Sequence, residues 1–270
     1  MYSDSSLLAA IGLYSLTAVL LYISIRNHSR AWWLASVALC FMGAAVHTYA
    51  LSGHWTGAAP EAGILNLMSL CALVIVLMLC TSVFSSNSLY DASIVVLPMT
   101  VVVLVLEWSI PSQGLLLEDF SAGASAHILS SILAFGVLSI AGIYAFFVAI
   151  IDFFLRRHHL NPLVTSLPPL ETLERLLFRL IAMGFVLLTA SLLTGLAFVD
   201  NMFEQHLAHK TILSIMAWLL FGLLLWGRWR YGWRGRQAVR LTLAGIFLLL
   251  LAYFGSKLVL ETILGKSWRN

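Results

Sequence analysis

Long apolar runs, each closed by a short polar stretch, organise this chain. Positions 64–79 and 241–254 carry no charged residue at all. A helix that crosses a bilayer needs about 20 predominantly apolar residues. A transmembrane β-strand would instead show about 10 residues of alternating polarity, and these runs do not alternate. The pattern predicts eight spans, at about 7–25, 31–51, 62–84, 92–110, 124–151, 172–199, 206–227 and 236–263. Turn residues punctuate them: Ser52 and Gly53, Ser85 to Ser88, Pro111 to Gly114, Asn161 and Pro162, Tyr231 and Gly232. Such clusters end helices because they supply special backbone angles or remove a donor. No soluble domain fits between two spans, so positions 1–270 read as a single integral membrane domain. The expected fold class is all-α, a polytopic bundle of eight transmembrane helices.

Composition agrees. The 270 residues are 61% hydrophobic and 10% charged, with a mean hydropathy of +0.95. Soluble domains carry roughly 25% charged residues. A water-soluble globule and a disordered chain are both excluded. The net charge of +3 gives no reason to expect a nucleic-acid partner. The N-terminal Met1-Tyr-Ser-Asp stretch lacks the basic region of a cleaved signal peptide, so the first run reads as a retained helix.

The placement of charge predicts orientation, because cytoplasmic loops retain Lys and Arg. Arg26 and Arg30 fall between spans 1 and 2. Arg156 and Arg157 fall between spans 5 and 6, with Arg175 and Arg179 just after. Arg228, Arg230, Arg234, Arg236 and Arg240 fall between spans 7 and 8. Glu107, Glu118, Asp119, Asp200 and Glu204 gather on the opposite side. Both termini are therefore expected on the outer, periplasmic side; Lys266 and Arg269 are the exceptions. Segment 170–180, after Pro168 and Pro169, reads as an amphipathic turn feeding span 6. Glu171, Glu174 and Arg175 form its polar face, with Leu170, Leu173, Leu176 and Leu177 opposite. The arginine loop at 228–240 suits anionic lipid.

Candidate chemistry rests on histidine. His28, His158 and His159 fall in basic loops and read as solvated charge. His47, His54, His127, His206 and His209 all fall at the outward ends of spans or in an outward loop. At about 1.5 Å per residue, His209 stands roughly 27 Å and His47 roughly 24 Å above the cytoplasmic ends, with His127 higher. Ionisable groups at such depth are costly and usually functional, although each alone could simply bond water or a neighbouring helix. Zinc would want a compact tetrahedral set with thiolate or carboxylate ligands. Cys40, Cys71 and Cys80 sit elsewhere and read as buried small apolar residues. No Cys-x-x-Cys-His motif or Cys-x-x-Cys pair occurs. Haem suits the set better, since two histidines on facing helices can ligate its iron axially. Phe120, Phe135, Phe198, Phe203, Trp55 and Trp218 stand at heights that could pack the ring. They are also ordinary interfacial aromatics.

The stretch from Pro169-Leu-Glu through Leu173 and an arginine to Gly184-Phe185, Leu188-Thr189 and Gly195 resembles the cytochrome c assembly protein family. That family includes CcsA, CcmC and HemX-like proteins. His127 followed by Ser130, Ser131 and Tyr144 is similar to the histidine-led span before it, and Tyr253-Phe-Gly255 to the family's last span. The likeness covers about 120–262. The run from Trp226 to Gly235 is similar to the YpjD-type inner-membrane proteins.

The resemblance implies a bacterial inner-membrane protein that holds or handles b-type haem near the periplasmic face. His127 is the axial ligand it carries over. The second ligand would come from His209, His206 or His47, with His209 preferred on depth. Two departures stand out. The family's tryptophan-rich outward segment is replaced by Asp200 to Thr211, and Leu264 stands near the place of its second outward histidine. No catalytic constellation is visible, and no enzyme is expected. Haem, the bilayer and cytochrome-maturation or other membrane proteins are the expected partners. The alternative is a haem-free scaffold, accessory subunit or small-molecule transporter on the same fold.

Overall fold

The computed structural model describes residues 2–55, 61–62, 64–84, 90, 92–110, 115–116, 122–156, 169–198 and 208–255. Eight α-helices lie among the described residues: α1 (Tyr2–Asn27), α2 (Arg30–Trp55), α3 (Ile64–Ser82), α4 (Ser93–Ser109), α5 (Ala122–Arg156), α6 (Leu170–Phe198), α7 (Ala208–Tyr231) and α8 (Arg236–Leu250). A π-helical turn, Leu251–Gly255, extends α8. One two-residue antiparallel pair, Glu61–Ala62 with Leu115–Leu116, completes the described elements.

Seven of these helices are long and apolar enough to cross a membrane. The chain is a polytopic helical membrane protein. α8 reaches that length only together with its π turn; α4 falls short of it, at 17 residues with Pro98 inside. At about 1.5 Å per residue it still extends some 26 Å, against a hydrocarbon core of about 30 Å.

The helices form two compact units, Met1–Asp119 and Phe120–Asn270. In the first, α1 packs on α2 and α4, and α3 packs on α4 and α2. The four helices thus close a ring in chain order. In the second, α5 packs on α6 and α8, and α7 packs on α6 and α8, closing a second ring. This is the up-and-down bundle expected of helices joined by short turns.

Small residues set the close contacts. A Cβ on Gly43 of α2 would lie 2.8 Å from the Tyr14 ring of α1. One on Gly245 of α8 would lie 2.7 Å from the Phe221 ring of α7. Lipid is as apolar as leucine, so membrane helices associate through such close packing and through interhelical hydrogen bonds. Cys40, Cys71 and Cys80 are buried free thiols. Cys40 and Cys80 meet across α2 and α3 with sulfurs 3.1 Å apart.

Two turns depend on left-handed backbone. His28 has φ +49° between α1 and α2, where the Ser29 N–H donates to the Ser24 carbonyl. It is exposed, as expected of a loop histidine. Gly232 has φ +67° and ends α7.

Segment 170–180 departs from expectation at one residue. Glu171 and Arg175 do form an exposed pair, 3.1 Å apart. Glu174, however, is buried beside Leu173, Leu176 and Leu177. Its position lies four residues from Leu170 and three from Leu177, so it shares their stripe rather than the polar face. It is retained there because its Oε1 accepts the Gly235 N–H at 2.8 Å, ahead of α8.

Candidate functional site

His127 sits in the second turn of α5. One turn earlier, Gly123 leaves the space that the Phe198 ring of α6 fills; a Cβ there would overlap the ring. The end of α6 therefore lies close against the start of α5. That approach brings the Ser191 carbonyl to 2.8 Å from His127 Nδ1. A carbonyl can only accept, so Nδ1 carries the proton. Whenever the ring is neutral, Nε2 is then the nitrogen that keeps the lone pair. A backbone carbonyl holding one nitrogen is the arrangement that fixes the tautomer and direction of metal-binding histidines. His127 is half-exposed.

The face of α5 below His127 is lined by Ser131 and Phe135, at intervals of four residues. Tyr253 of the π turn covers both. Its hydroxyl donates to the Ser131 carbonyl at 2.8 Å. Its ring lies 5.0 Å from that of Phe135. Single π turns inside helices recur at functional sites. Farther along α6, Thr189 Oγ1 accepts from the indole N–H of Trp218 of α7 at 2.8 Å, and Phe185 stacks on that indole at 5.4 Å. Phe135, Phe198 and Trp218, expected at these heights, thus all serve packing within the second unit.

His47 belongs to the first unit and is fully buried. Its Nδ1 lies 3.2 Å from the Tyr14 hydroxyl, and its Nε2 lies 2.8 Å from Ser69 Oγ. Both nitrogens are spent on hydroxyls of α1 and α3. Gly43, one turn earlier on α2, makes the room that lets Tyr14 reach it. The Tyr14–His47–Ser69 chain joins three of the unit's helices.

The other candidates are less visible. His209 lies in the first turn of α7, with only its backbone described. His206, Phe120 and Phe203 lie outside the described residues, as do the side chains of His54 and Trp55. His158, His159 and Leu264 also lie outside them. Among the described residues no group of three or more His, Cys, Asp or Glu could hold a metal ion. A two-histidine haem site needs no such group, and His127 has the donor chemistry it requires.

Sequence reasoning missed two interactions. The Glu174 bond to Gly235 spans 61 positions and has no local signal. The polar partners of His47 were legible only as buried polar residues within apolar runs.

An all-helical membrane chain with a poised histidine at the start of a long span defines a class of integral membrane protein. The comparisons narrow that class. The family model described as "Cytochrome C assembly protein" matches residues 5–264, which extends well beyond the 120–262 stretch where the motifs lie. The chain belongs to the cytochrome c assembly protein family. It is similar to "Inner membrane protein YpjD" of Escherichia coli (strain K12), 32% identical over 259 residues, covering 95% of this chain and 98% of that protein. A protein of Azospirillum brasilense, named only by its 28.8 kDa mass and gene neighbourhood, is 33% identical over 141 residues, or 52% of each chain. "Cytochrome c biogenesis protein CcsA" of Picosynechococcus is 29% identical over 111 residues, covering 40% of this chain and 32% of that one. No solved structure matches. The chain is a multi-pass inner-membrane protein.

Proposed function

We propose that this protein holds or passes b-type haem at the periplasmic face, in support of cytochrome c biogenesis, without turnover of its own. The observation that carries this reading is His127, whose Nδ1 is pinned to the Ser191 carbonyl at 2.8 Å and whose Nε2 has no hydrogen-bond partner among the described residues. Family membership points the same way. His127 would be one axial ligand. His209 or His206, on or just before the first turn of α7, would be the other. His47 is set aside, because both of its nitrogens are already bonded. Bound haem would supply a redox-active iron. This chain's part is to fix the imidazole, line the face below it with Phe135 and Tyr253, and exclude water there.

The same reading places eight crossings with both termini outward. It rests on the arginines at the α1–α2, α5–α6 and α7–α8 ends. The absent tryptophan motif and Leu264 favour a second reading, a scaffold that retains the fold without haem. Haem content of purified variants separates the two. On the haem reading, His127→Ala loses most of the haem, and His209→Ala or His206→Ala loses as much. His47→Ala retains haem but melts earlier. Equal haem in wild type and His127→Ala would overturn the ligand assignment. No haem in any of them would favour the scaffold.

A further inference from the structure

The arginine-rich end of the second unit is not uniform. Arg175 pairs with Glu171. Arg228 lies 4.6 Å over the Phe178 ring and donates to the Trp233 carbonyl. Arg230 lies 5.8 Å from the Tyr231 ring. Arg156 is held by both oxygens of Asp152, at 3.0 and 2.9 Å. Arg236 and Arg240 have no such partner among the described residues, and both line one cavity between α5 and α8. Arg179 and Arg234, also without a partner among the described residues, stand outside it.

The cavity measures about 370 Å³ and is lined by Ala149, Asp152, Phe153, Arg156, Arg236, Val239 and Arg240. Three guanidinium groups face one carboxylate, a local excess of two positive charges. Arg236 and Arg240 are four residues apart, so they stack on one face of α8 and repel each other. They also occupy the first turns of that helix, which has no acid there to offset them. A helix start disfavours cations and favours anions. An anion between them would relieve both conflicts. Ala149, Phe153 and Val239 give the cavity an apolar floor that continues along helices of membrane-spanning length. Trp229 is 83% exposed at the same end, as suits an aromatic anchor at headgroup level.

We propose that this cavity binds the headgroup of a membrane lipid that carries two phosphates. Its phosphates lie against Arg236, Arg240 and Arg156, and an acyl chain runs over Phe153 and Val239. Basic recesses between transmembrane helices take such headgroups, and the volume falls within the range of small-ligand sites. The site is independent of the haem reading, since none of its residues belongs to the His127 region.

The test is native mass spectrometry of the purified full chain with diphosphatidylglycerol, phosphatidylethanolamine and inorganic phosphate as separate probes. The wild type should retain one diphosphatidylglycerol in preference to phosphatidylethanolamine. The Arg236→Gln/Arg240→Gln double variant should bind it roughly 30-fold more weakly, at about one surface arginine's attraction each. Arg179→Gln should bind like wild type, and circular dichroism melting should confirm that all variants fold. Three results would overturn the proposal: retention by the double variant, an equal loss in Arg179→Gln (diffuse attraction to the basic surface), or displacement of the lipid by millimolar inorganic phosphate (a site for free phosphate).

Discussion

At the residue scale, two of the candidate histidines have opposite hydrogen-bonding fates. His127 meets a carbonyl, which accepts only, and is left with one nitrogen unpartnered among the described residues. His47 meets two hydroxyls and is left with none. Their positions in the sequence made both of them candidates, because position says nothing of what stands across the helix interface. The small residue that settles His47 is Gly43. Gly43→Ala places a methyl group against the Tyr14 ring and should cost about 1–3 kcal/mol. Tyr14→Phe, which removes only the hydroxyl, should cost about 0.5–2 kcal/mol. Thermal melting in detergent checks the order. A Gly43→Ala melt at or above that of Tyr14→Phe would mean that Tyr14 is not pressed on α2.

At the element scale, the apolar runs located every helix, and both ends of α2, α3, α4 and α6 lie within four residues of expectation. α1, α5 and α7 start or stop farther out than expected, because polar residues such as Ser3, Asp4, Asp152 and Arg228 continue the helix beyond its apolar part. The resemblance located Pro169 to Gly195, which forms α6, but gave Glu174 no role. Its partner is a backbone N–H, and no side-chain pattern marks one. Glu174→Leu leaves the buried end of that bond unsatisfied and should destabilise the second unit by about 1–3 kcal/mol. Glu174→Gln keeps an acceptor oxygen and should cost under about 1 kcal/mol. Equal melting of the two variants would show that the bond does not hold α8 in place.

At the scale of the whole molecule, the charge pattern and the packing are separate kinds of information. Hydropathy indicated eight helices but not that they divide four and four, since ring closure depends on which helices touch. The charge pattern predicts the side of each loop, which packing does not address. In a cysteine-free background, His28→Cys should be shielded from an impermeant maleimide added outside, and Asp119→Cys should be labelled. The reverse result would invert the topology and move His127 to the cytoplasmic face. The proposed haem site is legible only in part, for the same reason as Glu174. His127 stands out in sequence by its position and its family likeness. Its bond to Ser191, 64 positions away, does not.

The most direct test is an absorption spectrum of the detergent-purified wild type and of His127→Ala, each oxidised and then reduced with dithionite. A sharp Soret band with resolved α and β bands on reduction, lost in His127→Ala, is the expected result. A featureless wild-type spectrum after expression with added haem would contradict the account.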